Sequence, residues 1–173
     1  NTMASDRLGL TTRSIEQTMQ VGEVLADLVR PGRVIGLIGP LGAGKTQFVR
    51  GLARGLNADE RLVSSPTFVL MQEYAGRANL VHVDAYRIED LSDLESAGWS
   101  DELWQDAVVA VEWADRLAGE LPEDHLIVRL DHVDEEAREI VFEPRGDWRG
   151  HLSGLAQALQ NAGFEVDVAP AGG

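Results

Sequence analysis

Residues 39–46 read G-P-L-G-A-G-K-T, a full match to the phosphate-loop pattern G-x-x-x-x-G-K-S/T. No other feature of the chain constrains its fold as tightly, because the pattern has meaning only between a buried strand and a helix. Both neighbours are present. Residues 34–38 (V-I-G-L-I) form a short apolar run that reads as a buried strand, and residues 47–56 carry Phe48, Val49, Leu52, Ala53 and Leu56 at helical spacing. Gly39, Gly42 and Gly44 let the backbone adopt positive φ and bring its amides close to an anion. Those amides open a helix, where unpaired N–H groups and the helix dipole favour phosphate. In such a loop Lys45 reaches the β- and γ-phosphates and the Thr46 hydroxyl ligates Mg²⁺. Gly39, Leu41, Gly42, Ala43, Gly44, Lys45, Thr46 and Gln47 are therefore the expected nucleotide-binding residues. The sequence predicts a site for a nucleoside triphosphate.

Along the rest of the chain, helical and strand patterns alternate. Residues 14–29 read as a helix capped by Ser14, which Pro31-Gly32 breaks. Residues 69–74 and 79–83 read as strands joined by a turn around Gly76, and 91–97 as a short helix ending at Gly98. A second continuous apolar run, 108–111, reads as a buried strand followed by a helix through Leu117. Residues 126–130 and 140–143 form a strand pair around the acidic loop 131–136; 151–159 suggest an amphipathic helix, and 170–173 a frayed end. With no repeat and no linker, the expectation is an α/β fold: a single P-loop NTPase-like domain over residues 14–146, with a central, mostly parallel sheet flanked by helices. Residues 1–13 read as an N-terminal scar and extension, since Asn1 and Thr2 precede Met3, and residues 147–173 as a C-terminal helix and tail.

Composition narrows the function class. The 173-residue chain has no cysteine, which excludes disulfides and thiolate metal sites. No apolar run approaches the ~20 residues of a membrane span, and no signal-peptide pattern appears, so a soluble cytoplasmic protein is expected. The formal net charge is −14. Phosphate contacts supply most nucleic-acid affinity, so this charge speaks against direct tRNA or DNA binding and for a more basic protein partner.

Two carboxylates lie at strand ends, where ligands gather in such sheets. Asp84 closes the run H-V-D-A-Y-R and is expected to contact Mg²⁺, the alternative being a turn cap. Glu112 follows the strand 108–111 and either ligates Mg²⁺ or polarises the attacking water. His82 reads as a satisfied core histidine, Trp113 as a packing residue, and Arg87 as a phosphate contact or a local ion pair. In S-P-T-F (residues 65–68) Pro66 stiffens the turn, and Thr67 is placed to sense the γ-phosphate or Mg²⁺. N-K-x-D is absent, and Asp84 is followed by Ala-Tyr-Arg rather than by the rest of a D-x-x-G switch, so ATP is favoured over GTP. No arginine-rich lid marks an acceptor site.

Together G-P-L-G-A-G-K-T, S-P-T-F-V-L-M-Q-E-Y (65–74), H-V-D-A-Y-R (82–87), E-S-A-G (95–98) and V-E-W (111–113) resemble the bacterial TsaE (YjeE) family. The resemblance spans roughly residues 14–146. It implies an ATPase required for threonylcarbamoyladenosine modification of tRNAs, acting beside TsaB and TsaD subunits with ATP and Mg²⁺. By the same resemblance, residues 42–45 hold the phosphates, Thr46, Glu112 and Asp84 serve the metal, and Lys45, Asp84, Glu112 and Thr67 serve catalysis. Arg138 matches a family arginine near the base, and Pro40 stands where many members are acidic. The competing readings are a small-molecule P-loop kinase and a nucleotide-gated binding module that does not hydrolyse.

Overall fold

The structure is a computed structural model describing residues 6–63, 71–86, 88–89, 91–96, 98–100, 105–117 and 119–170. Its elements run β1 (Asp6–Thr12), α1 (Ile15–Ala26), β2 (Val34–Ile38), α2 (Lys45–Gly55), β3 (Met71–Tyr74) and β4 (Asn79–Asp84). They continue with α3 (Leu91–Ser96), β5 (Ala107–Glu112), β6 (His125–His132), β7 (Arg138–Arg145), α4 (Leu152–Asn161) and β8 (Asp167–Pro170). Short 3-10 turns lie at Glu60–Leu62, Ala114–Leu117 and Gly146–His151.

The two apolar runs without alternation become neighbouring parallel strands, β2 and β5, at the centre of one sheet. All six residues of β5 are buried. That burial is why the run is continuously apolar: a strand covered on both faces has no solvent side for polar residues. Leu8, Val21, Phe48, Leu52, Val128, Phe142 and Leu155 belong to the core under α1, α2 and α4. Val34, Val81, Val83, Val109, Val111, Trp99 and Leu117 form a second core, built on the parallel strands. Among the described residues no helix is long and apolar enough to cross a membrane.

The strand order is β3-β4-β5-β2-β6-β7-β1-β8. Only β4, β5, β2 and β6 run parallel; the pairs β3–β4, β6–β7, β7–β1 and β1–β8 are antiparallel. The sheet is therefore mixed rather than mostly parallel. The reason is connection length: the short links 75–78 and 133–137 permit only hairpins, because a parallel return needs a crossover of a dozen residues or more.

Three further expectations change. Residues 6–12 are not an extension but β1, inserted between β7 and β8 with Leu8 and Leu10 in the core. Residues expected only as part of a C-terminal tail form β8 (Asp167–Pro170), while 171–173 of the expected frayed end lie outside the described residues. The helix expected through Leu117 is a single 3-10 turn, because Trp113 takes φ +60 straight after β5 and breaks the helical path.

Candidate functional site

The glycine-rich loop joins β2 to α2, and its glycines are dictated by different contacts. A Cβ on Gly39 would stand 2.3 Å from the Leu130 carbonyl oxygen, so the backbones approach too closely for any side chain. Gly44, the N-cap of α2, sits at φ +101, where an L side chain is strained. The two neighbouring helices begin very differently. α1 is capped by the Ser14 side chain, which accepts from the Gln17 amide, and carries Glu16 in its first turn. α2 has no side-chain cap and no acidic residue in its first turn. Its opening amides and dipole are thus arranged for an external anion.

Lys45 begins α2 and is buried. Its ammonium donates to the carbonyls of Gly39 (2.6 Å) and Pro40 (2.9 Å) and lies 4.0 Å from the centre of the Trp113 ring. Burial pushes its pKa below the usual lysine value, against the opposing pull of Glu112, Asp84 and Asp115. Trp113 in turn packs on Tyr86, ring centres 4.8 Å apart, and Arg116 lies over the Tyr86 ring. A cleft of about 310 Å³ opens beside the loop between Pro40, Trp113, Asp115, Arg129 and Asp131.

The carboxylates meet because β4 and β5 run parallel and in step: Asp84 lies opposite Glu112. The Ala85 amide donates to the Glu112 carbonyl and locks the two strand ends together. The Thr46 hydroxyl donates to Glu112 Oε2 at 3.0 Å, tying the phosphate loop to β5. His82 Nε2 meets the same oxygen at 2.5 Å. With Glu112 ionised, that nitrogen carries the proton and donates. Burial pushes the Asp84 carboxyl above its usual value, and the bond from the Tyr86 amide to Asp84 Oδ1 opposes the shift.

Mg²⁺ takes few protein ligands and keeps waters and phosphate oxygens. One hydroxyl and two carboxylates at the mouth of an anion-accepting loop fit that demand. Asp84, Glu112, Lys45 and Thr46 are therefore brought together. Gly42, Ala43 and Gly44 line the loop, and Leu41, at 85% exposed, forms its outer tip. Thr67 and Arg87 lie outside the described residues.

Arg138, matched by the resemblance to an arginine near the base, lies against the glycine-rich loop. Its guanidinium sits behind the loop, donating to the carbonyls of Gly42 and Ala43. His82 is the core histidine expected, fully buried with Nε2 bonded to Glu112, but it is not fully satisfied, since its Nδ1 has no hydrogen-bond partner in the structure. The signal for it was the spacing H-x-D, since residues two apart on a strand share a face. His82 thus lies on the Asp84 face.

Comparison with known proteins gives a consistent likeness. The family model described as threonylcarbamoyl adenosine biosynthesis protein TsaE matches residues 12–140. A Treponema pallidum protein named tRNA threonylcarbamoyladenosine biosynthesis protein TsaE is 40% identical over 129 residues, covering 75% of this chain and 95% of the relative. Its namesake in Bacillus subtilis is 38% identical over 133 residues, covering 76% and 82% respectively. The Mycobacterium tuberculosis protein of that name is 41% identical over 133 residues, covering 71% and 78%. The crystal structure of Bacillus subtilis YdiB matches with a TM-score of 0.70 at 29% identity, over 91% of this chain and 97% of that one.

Proposed function

Because the chain belongs to the TsaE family of threonylcarbamoyl adenosine biosynthesis proteins, we propose that it serves tRNA threonylcarbamoyladenosine formation as a Mg²⁺-dependent ATPase subunit. In this reading the domain is P-loop NTPase-like. The observation that carries it is the uncapped start of α2, flanked by Lys45 and by the Thr46–Glu112 bond.

When ATP binds, Lys45 exchanges its two neutral carbonyl acceptors for charged β- and γ-phosphate oxygens, which make stronger hydrogen bonds. Thr46, Glu112 and Asp84 would hold Mg²⁺, which would supply charge neutralisation for the phosphates. Water attacks the γ-phosphorus in line; the bond to the bridging oxygen breaks, and ADP and phosphate leave. Glu112 or Asp84 would orient that water. Turnover by the isolated chain is slow, and the partners, TsaB and TsaD proteins in the cytoplasm, supply what is missing. Groups supplied in trans to such sites are worth about 10³–10⁵ in rate. The net charge of −14 supports contact with protein rather than with tRNA directly.

Calorimetric titration of ATP and a phosphate-release assay, each with and without TsaB and TsaD, test this reading. Lys45→Ala is expected to abolish binding. Asp84→Ala and Glu112→Ala should keep binding and lose Mg²⁺-dependent turnover. Hydrolysis unchanged in both carboxylate variants removes them from the mechanism, and tight binding without hydrolysis in the full complex favours a nucleotide-gated module.

A further inference from the structure

Arg138 opens β7, next to Thr12 of β1 and His132 of β6. Its guanidinium is buried, and its four acceptors are main-chain carbonyls: Ala43 from Nε at 3.1 Å, Gly42 from Nη2 at 3.2 Å, and Asp134 and Ala137 from Nη1 at 2.8 Å each. Among the described residues none of its partners is a carboxylate. A buried cation whose direct partners are all main-chain dipoles, with the Asp134 carboxylate acting on it only through space, is costly, since proteins usually pair such charges. The cost has a use if an anion arrives nearby.

The hairpin that carries Arg138 is itself fixed. Asp134 Oδ1 accepts the amides of Glu136 and Ala137, and these bonds hold the Asp134 carboxyl below the usual range. From this rigid support the guanidinium fork reaches across to two consecutive peptides of the phosphate loop. Peptide units are planar and trans, so a carbonyl held from behind aims its N–H forward. The Gly42–Ala43 unit is pinned at both ends, its carbonyl by Arg138 and its Ala43 N–H by the Pro40 carbonyl at 3.1 Å. The Ala43–Gly44 unit is held by its carbonyl, which turns the Gly44 N–H toward the mouth of the loop.

We propose that Arg138 is a positioning residue for phosphate. It fixes the Gly42–Ala43 peptide against Pro40 and holds the Ala43–Gly44 peptide in its anion-accepting orientation, and it places a positive charge with no direct carboxylate partner behind the loop of a chain whose net charge is −14. It does not contact the base. The inference rests on the nucleotide-binding reading above and adds to it a residue 95 positions downstream of the loop. Lysine is no substitute, because a point charge cannot grip two carbonyls as a planar fork does.

The test is calorimetric titration of inorganic tripolyphosphate and of ATP onto wild type, Arg138→Gln, Arg138→Lys and, as a charge control, Arg149→Gln. Arg149 is exposed in the 3-10 turn at the opposite end of β7. Arg138→Gln is expected to weaken both ligands by the same factor, about tenfold, the scale of one lost charge-assisted hydrogen bond. Arg149→Gln should match wild type. Hydrogen exchange over residues 39–46 of the unliganded protein should speed up in Arg138→Gln, a change that a base contact would not produce. Loss confined to ATP, or unchanged tripolyphosphate binding in a folded Arg138→Gln, overturns the proposal. If Arg138→Gln does not fold, Arg138→Lys decides: severalfold weaker tripolyphosphate binding supports the fork, and wild-type affinity overturns it. Failure of the wild type to bind either ligand would overturn the nucleotide-binding reading itself, and this inference with it.

Discussion

Asp84 holds its carboxyl at the end of β4, where burial favours the protonated form. Between the ordinary carboxylate value and the raised one, the folded protein binds more protons than the unfolded chain. Stability contributed by this residue therefore falls as pH rises through that window. At neutral pH an ionised Asp84 is a net cost in the metal-free protein. Asp84→Asn is expected to raise the melting temperature at pH 7. The gain should shrink as pH approaches about 4, where the unfolded aspartate also protonates. Thermal melts in chelator from pH 4 to 8 check this, and a lower melting temperature for the variant at pH 7 would show that burial is not in control. Lys45 has the opposite sign: its lowered value means the unfolded chain binds more protons, so its contribution rises as pH climbs toward the ordinary lysine range. Both groups are held where their charged forms are poorly solvated, as suits the roles proposed for them toward a metal ion and phosphates.

At the scale of elements, the seating of α2 on α1 decides where Lys45 and Thr46 lie. The two helices touch backbone to backbone: a Cβ on Gly51 would stand 1.8 Å from the Met19 carbonyl oxygen, and one on Gly22 2.3 Å from the Phe48 carbonyl oxygen. Alanine in place of a helical glycine normally stabilises by about 0.5–1 kcal/mol. Here the collision reverses the sign. Gly51→Ala is expected to cost about 3 kcal/mol by overpacking, and to weaken ATP binding as α2 is pushed outward. Gly154→Ala in α4, where a Cβ meets nothing within 4 Å, should instead gain up to about 1 kcal/mol. Urea denaturation of both variants measures the contrast, and a stabilised Gly51→Ala would contradict the packing argument. Helical periodicity revealed the apolar stripe of α2, through Phe48, Val49 and Leu52. It was silent on Gly22 and Gly51, because a contact made by a missing side chain leaves no hydrophobic signal.

For the whole molecule, β1 is the piece whose importance exceeds its sequence signal. It lies between β7 and β8 and buries Leu8 and Leu10. A chain starting at residue 13 loses both leucines, about 4 kcal/mol of burial, and bares the edge of β7. A chain ending at residue 166 keeps Phe164 and Val166, which pack on the core, and loses the edge strand β8. The first truncation is expected to melt far lower or to aggregate, the second to stay folded; equal melting temperatures would return residues 6–12 to the role of an extension. The glycine-rich loop, its flanking strand and helix, the buried run of β5 and the candidates Lys45, Thr46, Asp84 and Glu112 that the fold brings together were all legible in the sequence. They depend on local periodicity and on residue types whose chemistry is specific. Tertiary structure alone decided that β1 and β8 complete the sheet, that His82 and Thr46 share one oxygen of Glu112, and that Arg138 braces the loop from behind. Those facts rest on strand register and on contacts between residues dozens of positions apart, and no local pattern encodes the distance between two segments that meet only when the sheet has closed.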